Sequence, residues 1–361
     1  MRFFTRLLSR FSLGIFTICG GGAASAQGDY PPVAVMSYNV ENLFSPWVDS
    51  VNPDESFTPS GEKHWTVKCL NTKAQRIADG IASASAGRPP AIVGLCEVED
   101  RTVLRWLTGK TYLKPINYWI YHRDSPDPRG IDVAVLYDTA QLLGLGCRWI
   151  RPQIEDSAAW RSREILYARF RLPDGDTLHL FQNHWPSKYS GALVSVAKRE
   201  AAMRGLMGVV DSIAVANPTA KIIAMGDFNE DAGDALFQAM ASPSVDEAAR
   251  RRVLVNMLHP AQPHKGAIGS YKYQGVWAMI DNFFVSPSLL DGEGYRIESV
   301  EVLPSEFLLE RDASHGGVRP CRSYLGPRFN SLGTSDHLPI VLRLKFANFA
   351  PWKTAKRGQK E

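Results

Sequence analysis

The chain has little cysteine, five residues in 361, and no pair of them shows the spacing of a zinc site. It has no strong excess of either charge. Forty-one basic residues against 37 acidic ones leave a net charge of +4, which permits attraction to polyanions without requiring it. Beyond the N-terminal stretch it lacks any run of about 18 uninterrupted apolar residues, so no spanning helix is expected. Charged residues make up 22% and hydrophobic residues 45%, a globular rather than a disordered composition, in a chain long enough to bury a large core.

The N-terminus carries Arg2, Arg6 and Arg10, then an apolar run from Phe11 to Cys19, then Ala24-Ser25-Ala26. A basic head, a short apolar centre and a small-residue site form a bacterial-type export signal cleaved after Ala26. The bulky Ile18 before Cys19 argues against a lipid anchor. The expected organisation is a signal peptide over 1–26, one domain over 27–347 and a basic tail over 348–361. The mature protein is expected to be a soluble monomer in the periplasm or medium, with no stable membrane insertion and no protein partner. Export permits one or two disulfides among Cys69, Cys96, Cys147 and Cys321, although Cys96 lies in an apolar strand and reads as a buried thiol.

The chemistry concentrates where apolar runs stop. Lys221 to Met225 reads as a buried strand that breaks at Gly226 and presents Asp227 and Asn229, two residues apart and so on one face of a strand. Taken alone this pair could equally be an Asx turn. Val33 to Asn39 is a strand that ends in Asn39 and Glu41. Ala91 to Cys96 ends at Glu97, a hard-metal ligand by type, with Glu99 expected as a solvated neighbour and Asp100 as the cap of a helix over 101–109. The strand from Leu178 ends in Asn183-His184-Trp185-Pro186-Ser187-Lys188. There His184 could serve a phosphate oxygen or a leaving group, Lys188 is a candidate phosphate anchor, and His179 belongs to a solvated face. Met279 to Val285 carries Asp281, a buried acid that needs a partner and would be suited by a histidine. Ser335-Asp336-His337 opens the terminal strand over 340–345.

Further strands are expected at 118–122, 131–137, 145–151, 163–171 and 177–182. Helices are expected at 67–86, with Lys73 and Arg76 outside, and at 191–216, with Lys198, Arg199, Glu200 and Arg204 facing water. Arg129 and Asp132 flank a glycine in a loop and are candidates for the cleft. The stretches 45–66, 231–275 and 304–334 read as loops. Tyr271, Tyr273, His259, His264 and Lys265 could line a groove, whereas Trp47, Trp65 and Trp277 read as isolated loop aromatics, with no apolar aromatic hairpin evident.

Taken together, Ser37-Tyr38-Asn39, Leu95-Cys96-Glu97-Val98, Asn183-His184-Trp185-Pro186-Ser187, Gly226-Asp227-Phe228-Asn229, Ile280-Asp281 and Ser335-Asp336-His337 resemble the endonuclease/exonuclease/phosphatase superfamily over about residues 33 to 345. The resemblance implies an α+β fold, a four-layer αββα sandwich of two mixed β-sheets packed face to face with helices outside. It implies Mg²⁺ or Mn²⁺ held by Glu97, with Asn39 and Asp336 nearby. Asp227 would then activate the attacking water, Asn229 would contact the phosphate, and Asp281 would orient His337 as base or donor. His184 would be the second histidine. Arg129, Asp132 and Lys188 remain candidates for substrate contact. The expected activity is in-line hydrolysis of a phosphoester, with nucleic acid the expected substrate. The alternatives are a sphingomyelinase-like or small-molecule phosphoesterase, and a binding module on the same scaffold.

Overall fold

The computed structural model describes residues 30–48, 55–154, 160–188, 192–231, 233–241, 254–259, 265–266 and 269–347. The stretches expected to be the export signal and the basic tail lie outside these residues, as does His264.

In chain order the strands are β1 (Val33–Leu43), β2 (Ile92–Val98), β3 (Trp119–His122), β4 (Asp132–Tyr137), β5 (Leu143–Ile150), β6 (Ile165–Arg171), β7 (Thr177–His184), β8 (Lys221–Asp227), β9 (Val255–Asn256) and β10 (Lys265–Gly266). They continue as β11 (Tyr271–Tyr273), β12 (Val276–Ala278), β13 (Asp281–Val285), β14 (Gly294–Val302), β15 (Leu309–Arg311), β16 (Val318–Pro320), β17 (Tyr324–Leu325), β18 (Arg328–Phe329) and β19 (Ile340–Ala347). The main helices are α1 (Val67–Ser83), α2 (Arg101–Lys110), α3 (Ala192–Ala216) and α4 (Ala235–Ala241).

Two mixed sheets carry the fold, one in the order β10-β14-β19-β1-β2-β4-β3 and the other in the order β5-β6-β7-β8-β13-β9. Alternation along each strand sorts its side chains between two cores. Val33 and Val35 of β1, Ile92 and Cys96 of β2, Leu178 and Leu180 of β7, Ile223 and Met225 of β8, and Phe283 and Val285 of β13 meet in one cluster between the sheets. The opposite face of the first sheet, with Met36, Tyr38, Val93 and Leu95, packs on Leu70, Ala74, Ile77 and Ile81 of α1 and on Leu104 and Leu107 of α2. The outer face of the second sheet, with Tyr167, Phe181, Ile222, Ala224 and Phe284, packs on Leu206 and Val210 of α3 and Phe237 of α4. The result is the expected helix-sheet-sheet-helix sandwich.

Several local expectations are corrected by burial. Lys73 and Arg199 do not face water. Lys73 is fully buried and donates to Ser323 Oγ and to Thr334 O at 3.2 Å, and Arg199 is 2% exposed with its guanidinium on Glu230. Long cationic stems pack readily inside when a carboxylate or carbonyl waits at the end. Trp65 is no isolated loop aromatic: it is wholly buried, and its indole donates to Phe44 O at 2.8 Å. Glu99 is buried as well and accepts the Ser45 N–H. Asp100 caps α2 as expected, accepting from Val103 N at 2.8 Å. All four cysteines of the described residues are free, so the permitted disulfides are not formed.

The sheets approach closely at Gly94, where an added Cβ would lie 1.9 Å from Gln182 Oε1 and 2.6 Å from Met225 Cε on the facing sheet. Gly94→Ala is therefore expected to cost about 1–3 kcal/mol through overpacking, read as a lower urea midpoint. An unchanged midpoint would show that the interface yields there.

Candidate active site

The strand alternation that builds the central core also builds the site. Asp227 continues the inward stripe of Ile223 and Met225, His184 continues that of Leu178 and Leu180, and Asn39 continues that of Val33 and Val35. Asp281 stands opposite Asp227 in the antiparallel register of β13 and β8, and His184 is the parallel partner of Asp227 in β7. Each of these strands loses its apolar residues at one end of the sandwich, so the polar tips share one mouth.

Glu97 breaks this rule. After Cys96, alternation would send it to the outer face, but its φ is +63° and the pairing of β2 with β4 shifts register between Cys96 and Val98. A bulge with one residue in the left-handed region re-aims the side chain toward the cleft, at a backbone cost of order 1–3 kcal/mol. The neighbouring tip of β1 is strained in the same way, with φ of +50° at Glu41 and +55° at Asn42, and Asn229 sits at +52°.

The groups converge tightly. The Asn39 carboxamide nitrogen donates to Asp227 Oδ2 at 3.0 Å and reaches Glu97 Oε1 at 3.4 Å, so one amide links acids from the two sheets. Glu97 Oε2 accepts the Asn42 N–H at 3.0 Å. His184 Nε2 lies 3.7 Å from Asp227 Oδ2 and 3.9 Å from Glu97 Oε1. On the other side His337 Nε2 lies 3.8 Å from Asp227 Oδ2, while its Nδ1 bonds Asp281 Oδ2 at 2.7 Å. The Asn229 N–H donates to Asp227 Oδ1 at 2.9 Å, and its side-chain amide donates to Trp185 O at 2.9 Å.

The two histidines are driven in opposite directions. Burial holds the His184 imidazole well below its ordinary pKa, reinforced by the charges of Arg163, Arg129 and His337. For His337 burial acts the same way, but Asp281, Asp227 and Asp336 outweigh it and lift the ring well above its ordinary value. His337 is thus an imidazolium at neutral pH and His184 a neutral ring. Burial, aided by Asp281 and opposed by His337, pushes the Asp227 carboxyl up to about 7.

Other expected residues stand further out. Asp336 lies 3.9 Å from His337 Nε2 and binds Arg322 at 3.0 Å. Lys188 is held between Glu230 Oε2 at 3.1 Å and Asp234 Oδ2 at 2.9 Å, so two carboxylates compensate its charge. Asp132 is buried, accepts the Ser125 N–H at 2.9 Å and faces His122 Nε2 at 3.4 Å instead of the acid cluster. Arg129 is exposed, 3.8 Å from Asp127 Oδ1. His179 does not simply face solvent but bonds the Tyr167 hydroxyl at 2.7 Å.

Sequence reasoning did not single out Arg163, which is buried and clamps the exit of β7 by donating to His184 O and Trp185 O and pairing with Asp127, each at 3.0 Å. Its only sequence signal is an arginine at the mouth of an apolar strand. The aromatic hairpin that seemed absent is formed by β11 and β12. The Tyr271 ring lies 4.9 Å from that of His337, and Tyr271 and Tyr273 are nearly parallel at 6.5 Å. Together with Lys188, Asn229, Ala278 and Ile280 these tyrosines line a slot of about 350 Å³ beside the acid cluster.

A sequence model of the endonuclease/exonuclease/phosphatase family matches residues 34–346. The chain belongs to this family. Members are phosphoester hydrolases that use divalent metal ions, and this chain is a phosphoesterase of that superfamily. Solved structures of the fold agree. A Bacteroides thetaiotaomicron protein of the endonuclease/exonuclease/phosphatase family is 17% identical with a TM-score of 0.55, over 88% of this chain and 99% of its own. D. rerio TDP2 complexed with a single-strand DNA product is 16% identical with a TM-score of 0.52, over 87% and 99%. The human Nocturnin catalytic domain is 16% identical with a TM-score of 0.51, over 88% and 96%. Comparison with curated protein sequences gave no match.

The raised Asp227 pKa makes a stability prediction with a definite sign. The neutral acid is favoured in the fold, so its stabilising contribution is complete below about 3.8 and is lost as pH rises through about 7. In metal-free buffer Asp227→Asn is expected to gain thermal stability relative to the parent between pH 4 and 7, then level off. A pH-independent difference between the two melting curves would contradict it.

Proposed function

We propose that the protein is an exported phosphodiesterase dependent on Mg²⁺ or Mn²⁺, with a nucleic-acid strand as its substrate. The observation that carries this reading is the convergence of Glu97, Asn39, Asp227 and the His337–Asp281 pair, joined in a chain of polar contacts of 2.7 to 3.8 Å. The donor set suits a hard cation. It is rich in oxygen, and Asp281 Oδ1 is buried with no hydrogen-bond partner among the described residues. Glu97 is the residue that would hold the ion, with Asn39 beside it.

A divalent ion held there supplies charge neutralisation at a phosphate oxygen. Asp227 accepts the proton of the attacking water, a task suited to a carboxyl poised near neutral pH. His337, kept cationic by Asp281, donates from Nε2 to the oxygen on which negative charge develops. His184, neutral and fixed through its carbonyl by Arg163, offers a second uncharged donor on the other side of Asp227. The Tyr271–Tyr273 slot gives a flat aromatic wall for the group attached to the reacting phosphate, as a nucleobase would need. The modest net charge and the single-strand DNA product in the similar D. rerio TDP2 structure support this substrate. No helix of the described residues is long and apolar enough to cross a membrane.

The exposed β11–β12 hairpin, with Tyr273 51% and Val276 70% accessible, also favours a second reading, a lipid phosphoesterase that seats the hairpin at a membrane surface. Turnover of single-stranded DNA and of sphingomyelin vesicles with Mg²⁺ or Mn²⁺ separates the two. DNA cleavage abolished by chelation and reduced about 10²–10⁴-fold in Asp227→Ala is expected. Sphingomyelin turnover alone would replace the nuclease by the lipid enzyme, and activity surviving in Asp227→Ala would remove the mechanism. His337→Gln is expected to lower kcat with little change in KM, because its charge serves the transition state. The N-terminal sequence of protein recovered from the medium or periplasm is expected to begin at Gln27.

A further inference from the structure

Away from the cleft, the outer face of the second sheet carries a second cluster of cations. Arg148 of β5 stands opposite Tyr167 of β6, and in the next row Gly146, Arg169 and His179 are aligned across β5, β6 and β7. The Arg148 guanidinium lies 5.0 Å above the Tyr167 ring, the Tyr167 hydroxyl is tied to His179 Nδ1, and the two rings are parallel within 6°. Arg148 and Arg169 are both exposed, and among the described residues neither pairs with a carboxylate. Arg169 donates to the backbone Leu145 O at 3.3 Å.

The backbone opens a space between them. The pairing of β5 with β6 shifts register between Gly144 and Gly146, and Gly146 has a φ of +110° with nothing within 4 Å of where a Cβ would sit. A bulge that turns on a left-handed glycine widens the strand edge and leaves its row without a side chain. The outcome is a pocket of about 420 Å³ lined by Gly146, Cys147, Arg148, Tyr167 and Arg169.

We infer that this pocket is a binding site for a tetrahedral phosphate, gripped between the Arg148 and Arg169 guanidiniums over the Tyr167–His179 platform. Two planar forks that no described carboxylate pairs suit the oxygens of such an anion, and the ring below Arg148 restricts its side chain in advance of binding. The phosphate can come from free phosphate in solution or from a diester of a nucleic-acid strand running outside the cleft. The pocket is separate from the catalytic cluster, so the inference stands whether or not the substrate reading above is correct.

The test compares the parent with the Arg148→Gln/Arg169→Gln double variant and with Arg148→Lys/Arg169→Lys, after circular dichroism shows that each is folded. Isothermal titration in EDTA measures inorganic phosphate and a 20-nucleotide single-stranded DNA over a range of salt, and bis(p-nitrophenyl) phosphate hydrolysis with metal reports the cleft. The expected result is at least a tenfold loss of phosphate affinity in the glutamine variant, with hydrolysis unchanged within twofold. A fall of about 0.7 in the salt slope for DNA, the share of the one phosphate the site would hold, identifies the strand as the source and is expected to be restored by the lysine variant. Loss of phosphate affinity with DNA binding unchanged identifies free phosphate. Unchanged affinity for both would overturn the inference.

Discussion

The hydrogen bond from the Asn39 amide to Asp227, with Glu97 at its other edge, is the contact on which the site depends, because it joins carboxylates that two different sheets bring to one place. Two acids this close repel each other, and burial makes the repulsion expensive. The fold holds them by packing the sheets rigidly beneath, down to the side-chainless position at Gly94, and by surrounding them with donors: the Asn39 amide, the Asn229 N–H and the two imidazoles.

Much of this arrangement was legible in the sequence because a strand has a period of two. Once Ile223 and Met225 are inside, Asp227 must be too, and the same arithmetic places Asn39, His184 and Asp281. That Asp281 needs a partner followed from the cost of burying an acid alone; the family resemblance pointed to His337, and His337 Nδ1 is that partner. Glu97 could be named by its type and place, but not aimed, since the left-handed residue that turns it inward leaves no mark that composition or periodicity records. Lys73 and Arg199 were misread for a related reason. Helical periodicity assigns a charged residue to water, whereas Glu230 and the 323–334 segment, distant in sequence, supply partners inside. The aromatic hairpin was hidden because Tyr271, Tyr273 and Trp277 lie in a stretch that reads as loop until β11 pairs with β12.

Two rings of the same chemical type are given different jobs by their neighbours alone. Burial disfavours charge on both rings; at His337 the carboxylate at 2.7 Å, with its acidic neighbours, outweighs it, whereas at His184 the Arg163 guanidinium adds to it. The clamp of Arg163 on the β7 carbonyls therefore has an electrostatic effect in addition to a steric one.

The hairpin is also wired to the catalytic strand through the main chain. Tyr271 forms a bridge with His337, and the Leu338 N–H donates to Ser270 O at 2.7 Å, while the turn itself is only Gln274 and Gly275, both with positive φ. The wall of the slot thus inherits the position of the His337 imidazole, whatever side chains it displays. Exchanging the outward residues of the hairpin would retune which molecule is accepted while the reacting groups keep their alignment, so selectivity and chemistry in this scaffold can diverge at different speeds.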